Sequence, residues 1–283
     1  MSLPASAAVQ FLLPQRLSCR IVYRLSRSHR PWLKRLLIGN FLKLYDVDMR
    51  EAETEDPQAF ATFNEFFTRA LKPGARPLAG DAGSILCPAD GRLTEFGRID
   101  RDRLLQAKGK SYTLAALLAE PADVVAPFLG GSFLTIYLAP PDYHRVHTPV
   151  AGIVRRARYI PGKRFSVNRT TAAAIDNVFC RNERVALWLD AATGPAVVVM
   201  IGALNVASLS TAVSGEIASG AARVFEPAEP PALERGAELG RFNLGSTLVL
   251  LFAAGGAEWL PSLEPGQRLR MGQAIGRLGS GPA

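Results

Sequence analysis

The chain is short of the residues that build disulfide scaffolds, metal centres and membrane-spanning helices. Among 283 residues there are three cysteines, Cys19, Cys87 and Cys180. An odd number at wide spacing excludes a disulfide framework and suits a reducing compartment. Histidine is equally scarce, and two of the three, His144 and His147, sit almost together. No third ligand of suitable spacing accompanies them, so no metal site is expected. Residues 191–215 carry no charge, yet Pro195, Gly202, Asn205, Ser208, Ser210, Ser214 and Gly215 interrupt them. Their β-branched content predicts two buried strands around a turn instead of a transmembrane helix. There is no long internal repeat, and the start is not a secretory signal, because its basic residues follow the short apolar segment.

Acidic residues are missing from one region only. Positions 1–45 hold Arg16, Arg20, Arg24, Arg27, Arg30, Lys34, Arg35 and Lys43 but no Asp or Glu, so they carry the whole +8 excess of the chain. Arg16, Arg20, Arg24 and Arg27 recur at helical spacing, and Leu33, Leu36, Leu37, Phe41 and Leu44 mark an apolar stripe on a following helix. Such a segment suits an anionic membrane interface, each basic group contributing about 1 kcal/mol. The alternative is a helix pair docked on the domain with a solvated basic face. Phe11, Leu12, Leu13, Trp32, Leu36 and Leu37 fit lipid better than a nucleic-acid-binding arm, so no nucleic-acid partner is expected. Residues 1–45 are therefore read as a basic amphipathic membrane-associating segment of a peripheral protein on the cytoplasmic side of the cell membrane, and 46–283 as its main, charge-balanced domain.

A hydrophobic content of 48% supplies a substantial core for one principal domain. Pro57 to Leu71 reads as a helix with Phe60, Phe63 and Phe67 on one face. Ser111 to Phe128 begins as another and breaks near Pro121. Short β-type segments follow at Ser132–Leu138, Gly152–Tyr159, Arg184–Leu189, Ala196–Ile201, Asn205–Val213 and Thr247–Phe252. Helices first and strands afterwards predict an α+β fold, with N-terminal helices followed by a mainly antiparallel β-sheet core. Pro227-Ala228-Glu229-Pro230-Pro231 reads as a surface loop.

The chemistry centres on Gly245-Ser246, just before the apolar run Leu248-Val249-Leu250-Leu251-Phe252. Glycine does not hinder attack on its carbonyl and tolerates strained backbone, so the Ser246 hydroxyl can reach the Gly245 carbonyl, although Gly-Ser before a strand, taken alone, also reads as a simple turn. Pro88-Ala89-Asp90-Gly91 and Asp142-Tyr143-His144-Arg145-Val146-His147-Thr148-Pro149 supply the other side chains that activate a hydroxyl, a histidine to take the proton and an aspartate to orient it. Positions i and i+3 of an extended segment face opposite ways, so at most one of His144 and His147 joins a given triad.

These motifs resemble those of the phosphatidylserine decarboxylases, the pyruvoyl-dependent enzymes that make phosphatidylethanolamine. The resemblance runs over nearly the whole chain. It includes Thr62-Phe63-Asn64-Glu65-Phe66-Phe67-Thr68-Arg69, Ala107-Lys108-Gly109-Lys110-Ser111-Tyr112, Pro161-Gly162-Lys163, Phe165-Ser166-Val167-Asn168, Arg181-Asn182-Glu183-Arg184-Val185 and Leu244-Gly245-Ser246-Thr247. Arg164, where the family pattern has an apolar residue, and Ala207, where it has glycine, depart from it in ways that bear on packing or lipid fit.

The resemblance implies a zymogen that cleaves itself into a β chain, residues 1–245, and an α chain, residues 246–283, held together as a heterodimer. His147 is expected as general base on Ser246, with Asp90 holding its tautomer. Ester formation, elimination and hydrolysis then leave a covalent pyruvoyl group derived from Ser246. The amine of phosphatidylserine condenses with it as a Schiff base, and the conjugated system absorbs the electrons released with carbon dioxide. His144 is the candidate for substrate contact or proton transfer. A serine hydrolase would use the same Asp90, His147 and Ser246, but no Gly-x-Ser-x-Gly elbow surrounds Ser246. A non-enzymatic lipid-binding protein would leave the separated motifs unexplained.

Overall fold

The computed structural model describes residues 10–11, 14–107, 109–204, 208–244 and 246–281, without the side chains of Arg16 and Ser246. Leu12, Leu13, Lys108, Asn205, Ala207 and Gly245, singled out above, lie outside the described residues. Helix α1 (Gln15–Ser26) and helix α2 (Pro31–Leu44) open the chain, the second beginning on a proline whose missing N–H costs nothing in the first turn. Helix α3 (Phe63–Phe67) is far shorter than the helix predicted for Pro57–Leu71. Thr62 starts it by accepting the Glu65 N–H at 3.1 Å, while the Glu65 carboxylate reaches back to the Ala61 N–H at 3.1 Å. Soon after α3 the chain turns extended, and Leu71 bridges Ala52.

Strands follow as β1 (Ser84–Leu86), β2 (Gly91–Arg98), β3 (Arg103–Ala107), β4 (Lys110–Thr113), β5 (Ser132–Leu138), β6 (Arg145–His147), β7 (Gly152–Ile160), β8 (Arg184–Ala191) and β9 (Gly194–Gly202). The later ones are β10 (Ser208–Thr211), β11 (Gly215–Ile217), β12 (Arg223–Phe225), β13 (Ala232–Leu233), β14 (Glu238–Asn243), β15 (Ser246–Phe252), β16 (Ala257–Trp259), β17 (Arg268–Leu269) and β18 (Ala274–Leu278). The helix predicted from Ser111 starts instead at Leu114, because Ser111–Thr113 complete β4 and the Thr113 hydroxyl caps the helix by accepting the Ala116 N–H. Residues 191–215 contribute β9 and β10, and no helix among the described residues is long and apolar enough to cross a membrane.

The main sheet runs β12-β7-β8-β9-β15-β5-β2-β17, with β13 also on β7, and a four-stranded sheet runs β11-β10-β14-β6. The named strands pair antiparallel, including both neighbours of β15, so the architecture is the α+β fold expected. Strand β15 lies at the centre between β9 and β5, with Thr247 to Phe252 buried. Its continuous apolar run is that of a strand covered on both faces, each such side chain contributing roughly 1.5–3 kcal/mol.

A second, smaller core couples the first helices to the site. Ile38 of α2 is fully buried, and the Phe41 ring lies 5.5, 5.8 and 5.8 Å from those of Phe63, Phe66 and Phe67. Leu244 packs against the same cluster. The stripe predicted on α2 therefore divides: Leu37 and Phe41 turn inward, whereas Leu36 and Leu44 are exposed. The basic row on α1 divides too. Arg20 and Arg24 are exposed, but Arg27 stacks on Tyr23 and donates to Glu216 at 2.6 Å and to the Ser208 hydroxyl at 3.0 Å. Arg27 thus fastens α1 to the four-stranded sheet, an engagement that its exposed neighbours Arg20 and Arg24 do not share.

Candidate active site

His147 ends strand β6 and His144 immediately precedes it, and the two lie in different surroundings. The His147 N–H donates to Pro88 O at 2.8 Å, setting the strand beside the Pro88-Ala89-Asp90 segment. The His147 Nδ1–H donates to Gly236 O at 2.8 Å, and Nε2 accepts from the Tyr143 hydroxyl at 3.0 Å. Burial holds the His147 pKa below the ordinary imidazole value.

Asp90 is occupied elsewhere. Its carboxylate accepts from Arg76 Nε at 3.0 Å and Nη2 at 2.6 Å, and from the Met271 N–H at 2.8 Å. Arg76 also donates to Glu51 at 2.7 Å. Burial opposes the charge of Arg76, but its bonds to the two carboxylates hold its pKa above the ordinary value. The hydrogen bond expected between Asp90 and His147 is therefore not made: the planar guanidinium matches the carboxylate better, and a carbonyl fixes the His147 tautomer. Asp90 stays close enough for its charge to favour the protonated form of His147.

His144 is fully buried, its ring 4.1 Å from that of Phe67. Nδ1–H donates to Asp142 O at 2.7 Å, which leaves Nε2 as the basic nitrogen, and that atom is buried without a hydrogen-bond partner among the described residues. Burial pushes the His144 pKa down to about 3, and the charge of Arg69 adds to the effect. The result is a neutral imidazole with a free lone pair in a dry setting, able to take a proton from a hydroxyl or return one to carbon. Asp142, which supplies the orienting carbonyl, is itself fixed: its carboxylate accepts from the Ala139 N–H at 2.7 Å and from Arg268 at 3.0 Å.

Strand register relates the histidines to the junction. The Phe242 N–H donates to His144 O at 3.0 Å, and the β6–β14 ladder pairs Arg145 with Arg241, Val146 with Gly240 and His147 with Glu238. His144 is thus level with Phe242, three residues before Gly245, and His147 is level with a position farther back. The two imidazoles also face different partners, as the i, i+3 spacing requires. Ser246 pairs with Leu138 on one side and Gly202 on the other. Gly202 O in turn accepts from the buried Asn182 amide at 2.9 Å, which also donates to Phe165 O at 2.7 Å and accepts the Phe165 N–H at 3.0 Å.

Against known proteins, the family model for phosphatidylserine decarboxylase matches residues 63–277, and one described as PSD matches residues 5–46. A phosphatidylserine decarboxylase proenzyme of Pseudomonas aeruginosa is 48% identical over 272 residues, covering 94% of each chain. The proenzyme of Ectopseudomonas mendocina is 46% identical over 273 residues, covering 94% of this chain and 96% of its own. That of Bordetella avium is 47% identical over 272 residues, with 95% and 92% covered. The chain belongs to the phosphatidylserine decarboxylase family.

Some residues around this decarboxylase site carried no assigned role in the sequence. Tyr143 lies within a quoted motif, four positions before the histidine it serves. Asn182 likewise sits in a motif, but its three backbone contacts are visible only once Phe165 and Gly202 converge. Arg76 had no local signal at all, because its carboxylate partners Glu51 and Asp90 lie on either side of it in separate segments. Arg164, the departure from the family pattern, is accommodated by a buried ion pair with Glu183 at 2.5 Å and a hydrogen bond to Ser219.

Proposed function

We propose that this chain removes the carboxylate of phosphatidylserine as carbon dioxide, giving phosphatidylethanolamine, after splitting itself between Gly245 and Ser246. The observation that carries this reading is the buried Nε2 of His144, unpartnered among the described residues, beside the strand that leads to the junction, in a chain of this family. An orphaned basic nitrogen of this kind fits a site in which a carbonyl-bearing group derived from Ser246 is to be protonated or addressed. A pyruvoyl group there supplies an electrophilic ketone and an electron sink.

The residues of the chain divide the remaining tasks. His144 holds a proton-accepting nitrogen within an apolar wall made by Phe67, and Asp142 fixes its tautomer. For the splitting step we assign Ser246 as nucleophile, supported by His147 and Asp90, with the Tyr143 hydroxyl donating to His147 Nε2 and orienting the ring. Asn182 ties Phe165 to Gly202, opposite Ser246, and so fixes one wall. Because β15, β17 and β18 belong to residues 246–283, the two products share one fold and remain a heterodimer.

The amino-terminal helices supply the approach to lipid. Leu17, Ile21 and Leu25 on α1 and Trp32 and Leu36 on α2 are exposed, with Arg20 and Arg24 beside them. Apolar groups entering an acyl boundary next to basic groups at anionic head groups describe a peripheral protein at the cytoplasmic face of the cell membrane.

Denaturing mass spectrometry, paired with carbon dioxide release from phosphatidylserine vesicles, tests the reading. Expected are residues 1–245 and a keto-blocked fragment of residues 246–283, no splitting in Ser246→Ala, and splitting blocked in His147→Ala. His144→Ala is expected to lose decarboxylation. Activity from an uncleaved chain would overturn the proposal, and normal splitting in His147→Ala would move the base to His144.

A further inference from the structure

Among the described residues four non-glycine positions have positive φ, and three of them, Arg101, Ala119 and Asn177, lie at 52–55°, within the ordinary left-handed well. Leu244 is different, with φ of 91°. A leucine there crowds its Cβ against its own backbone, a conformation that persists only where the surroundings impose it. It immediately precedes Gly245.

Both flanks of Leu244 are held. On one side the Asn243 amide donates to the Ser208 hydroxyl at 2.8 Å and the Ser210 hydroxyl at 3.1 Å, while its oxygen accepts from Asn64 at 3.2 Å. Asn243 also pairs with Ser208 in the four-stranded sheet. On the other side Ser246 is locked between Leu138 and Gly202 in the main sheet. The chain must change sheets between these two anchors, and the Leu244 side chain is itself packed on the Ile38, Phe63, Phe66 and Phe67 cluster. Asn243, Ser246 and the Leu244 side chain are all held, so the surroundings impose the conformation of Leu244.

We propose that Leu244 is a positioning residue whose clamped, strained backbone promotes self-splitting at Gly245–Ser246. This rests on the reading above that the chain splits there. In the first step the Ser246 Oγ–C bond forms at the Gly245 carbonyl as the C–N bond breaks, and the hydroxyl proton ends on the Ser246 amine. No co-reactant is consumed. The ester path from the carbonyl carbon to Ser246 Cα runs through Oγ and Cβ, one atom longer than the amide path and with an added rotatable bond. That slack lets Leu244 return toward negative φ, so the strain of the intact chain is released along the reaction and offsets the lower stability of an ester relative to an amide.

The test is a time course of splitting during cell-free synthesis of the full chain, read by denaturing electrophoresis. Leu244→Met keeps both the apolar anchor and the strain, and is expected within about twofold of the parent. Leu244→Gly accepts positive φ freely and is expected to split on the order of tenfold more slowly. Leu244→Asn, also tolerant of positive φ, serves where the glycine variant does not fold, and the same slowing is expected. Parental rates in the glycine or asparagine variant would overturn the proposal. A structure of the split protein decides independently: φ of Leu244 is expected to be negative, and retention near 91° overturns the idea. Failure of the parent to split would overturn the functional reading itself, a separate result.

Discussion

The Asp90 carboxylate accepts the backbone N–H of Met271 at 2.8 Å, so a residue of the proposed β chain holds one of the proposed α chain. Arg76 and Glu51 complete the junction, and Arg270 donates to Glu51 at 3.0 Å from the same α segment. Asp90 is thereby a clamp between the products as well as a charge near His147.

Asp90→Asn should therefore destabilise the protein even where no splitting occurs. Breaking one partner of a buried ion pair costs about 3–5 kcal/mol when the other charge stays buried, and Glu51 reduces that by keeping Arg76 partly matched. In the Ser246→Ala background, urea unfolding should show a loss of about 2–3 kcal/mol. An unchanged midpoint would restrict Asp90 to a role on His147.

Acid sensitivity has a defined sign. His144 titrates at about 3 in the folded protein against an ordinary value of 6.5. Between those values the unfolded chain binds a proton that the folded chain refuses, so this contribution is complete above about 6.5 and is lost as the pH falls toward 3. Burial lowers His147 as well, in the same direction. Replacing His144 with Asn in the Ser246→Ala background should flatten the acid limb of stability by up to about 1.4 kcal/mol per pH unit. Unfolding free energies at about pH 7, 5.5 and 4.5 bracket this window and supply the slopes, and parallel limbs would contradict the neutral, buried state of His144.

The parts of this molecule that follow local rules were legible in the chain. Strands β5, β7, β8, β9 and β15 follow from apolar and β-branched runs, and the refusal of a spanning helix in residues 191–215 follows from their interruptions. Helix length was not legible at Phe63–Phe67, where the Thr62 cap and the Leu71 bridge confine the turn from outside. Nor was the pairing of Asp90, since Arg76 competes for it with a geometry that spacing cannot reveal. Arg27 reads like its neighbours on α1 until Glu216 arrives from a distant strand. The strain at Leu244 is likewise tertiary, arising from two sheets and an aromatic cluster that meet around one residue.

Asn182 offers a test of the wall opposite Ser246. Its fully buried amide bonds three backbone groups, so Asn182→Ala leaves the Gly202 and Phe165 carbonyls and the Phe165 N–H without this partner. A loss of about 2–4 kcal/mol in unfolding is expected. Asn182→Asp keeps the acceptor but loses both donated bonds, and should recover less than half of that loss. A neutral alanine variant would mean that water replaces the amide.

Membrane contact separates the arginines of α1. Arg20 and Arg24 are exposed beside Leu17 and Ile21, whereas Arg27 is engaged by Glu216 and Ser208. Changing Arg20 and Arg24 together to Gln removes two surface charges near anionic lipid, worth about 1 kcal/mol each, so vesicle affinity at low salt should fall by roughly 10- to 30-fold. The loss should shrink as salt screens the remaining charges. Trp32→Ala acts through burial in the acyl boundary, and its effect should persist at high salt. Arg27→Gln breaks a dock to the sheet and should lower thermal stability more than affinity. Sedimentation with anionic and neutral vesicles, each at two salt concentrations, measures all of these. Equal affinity of the Arg20/Arg24 double variant and the parent for anionic vesicles at low salt would favour a docked helix pair whose basic face meets only water.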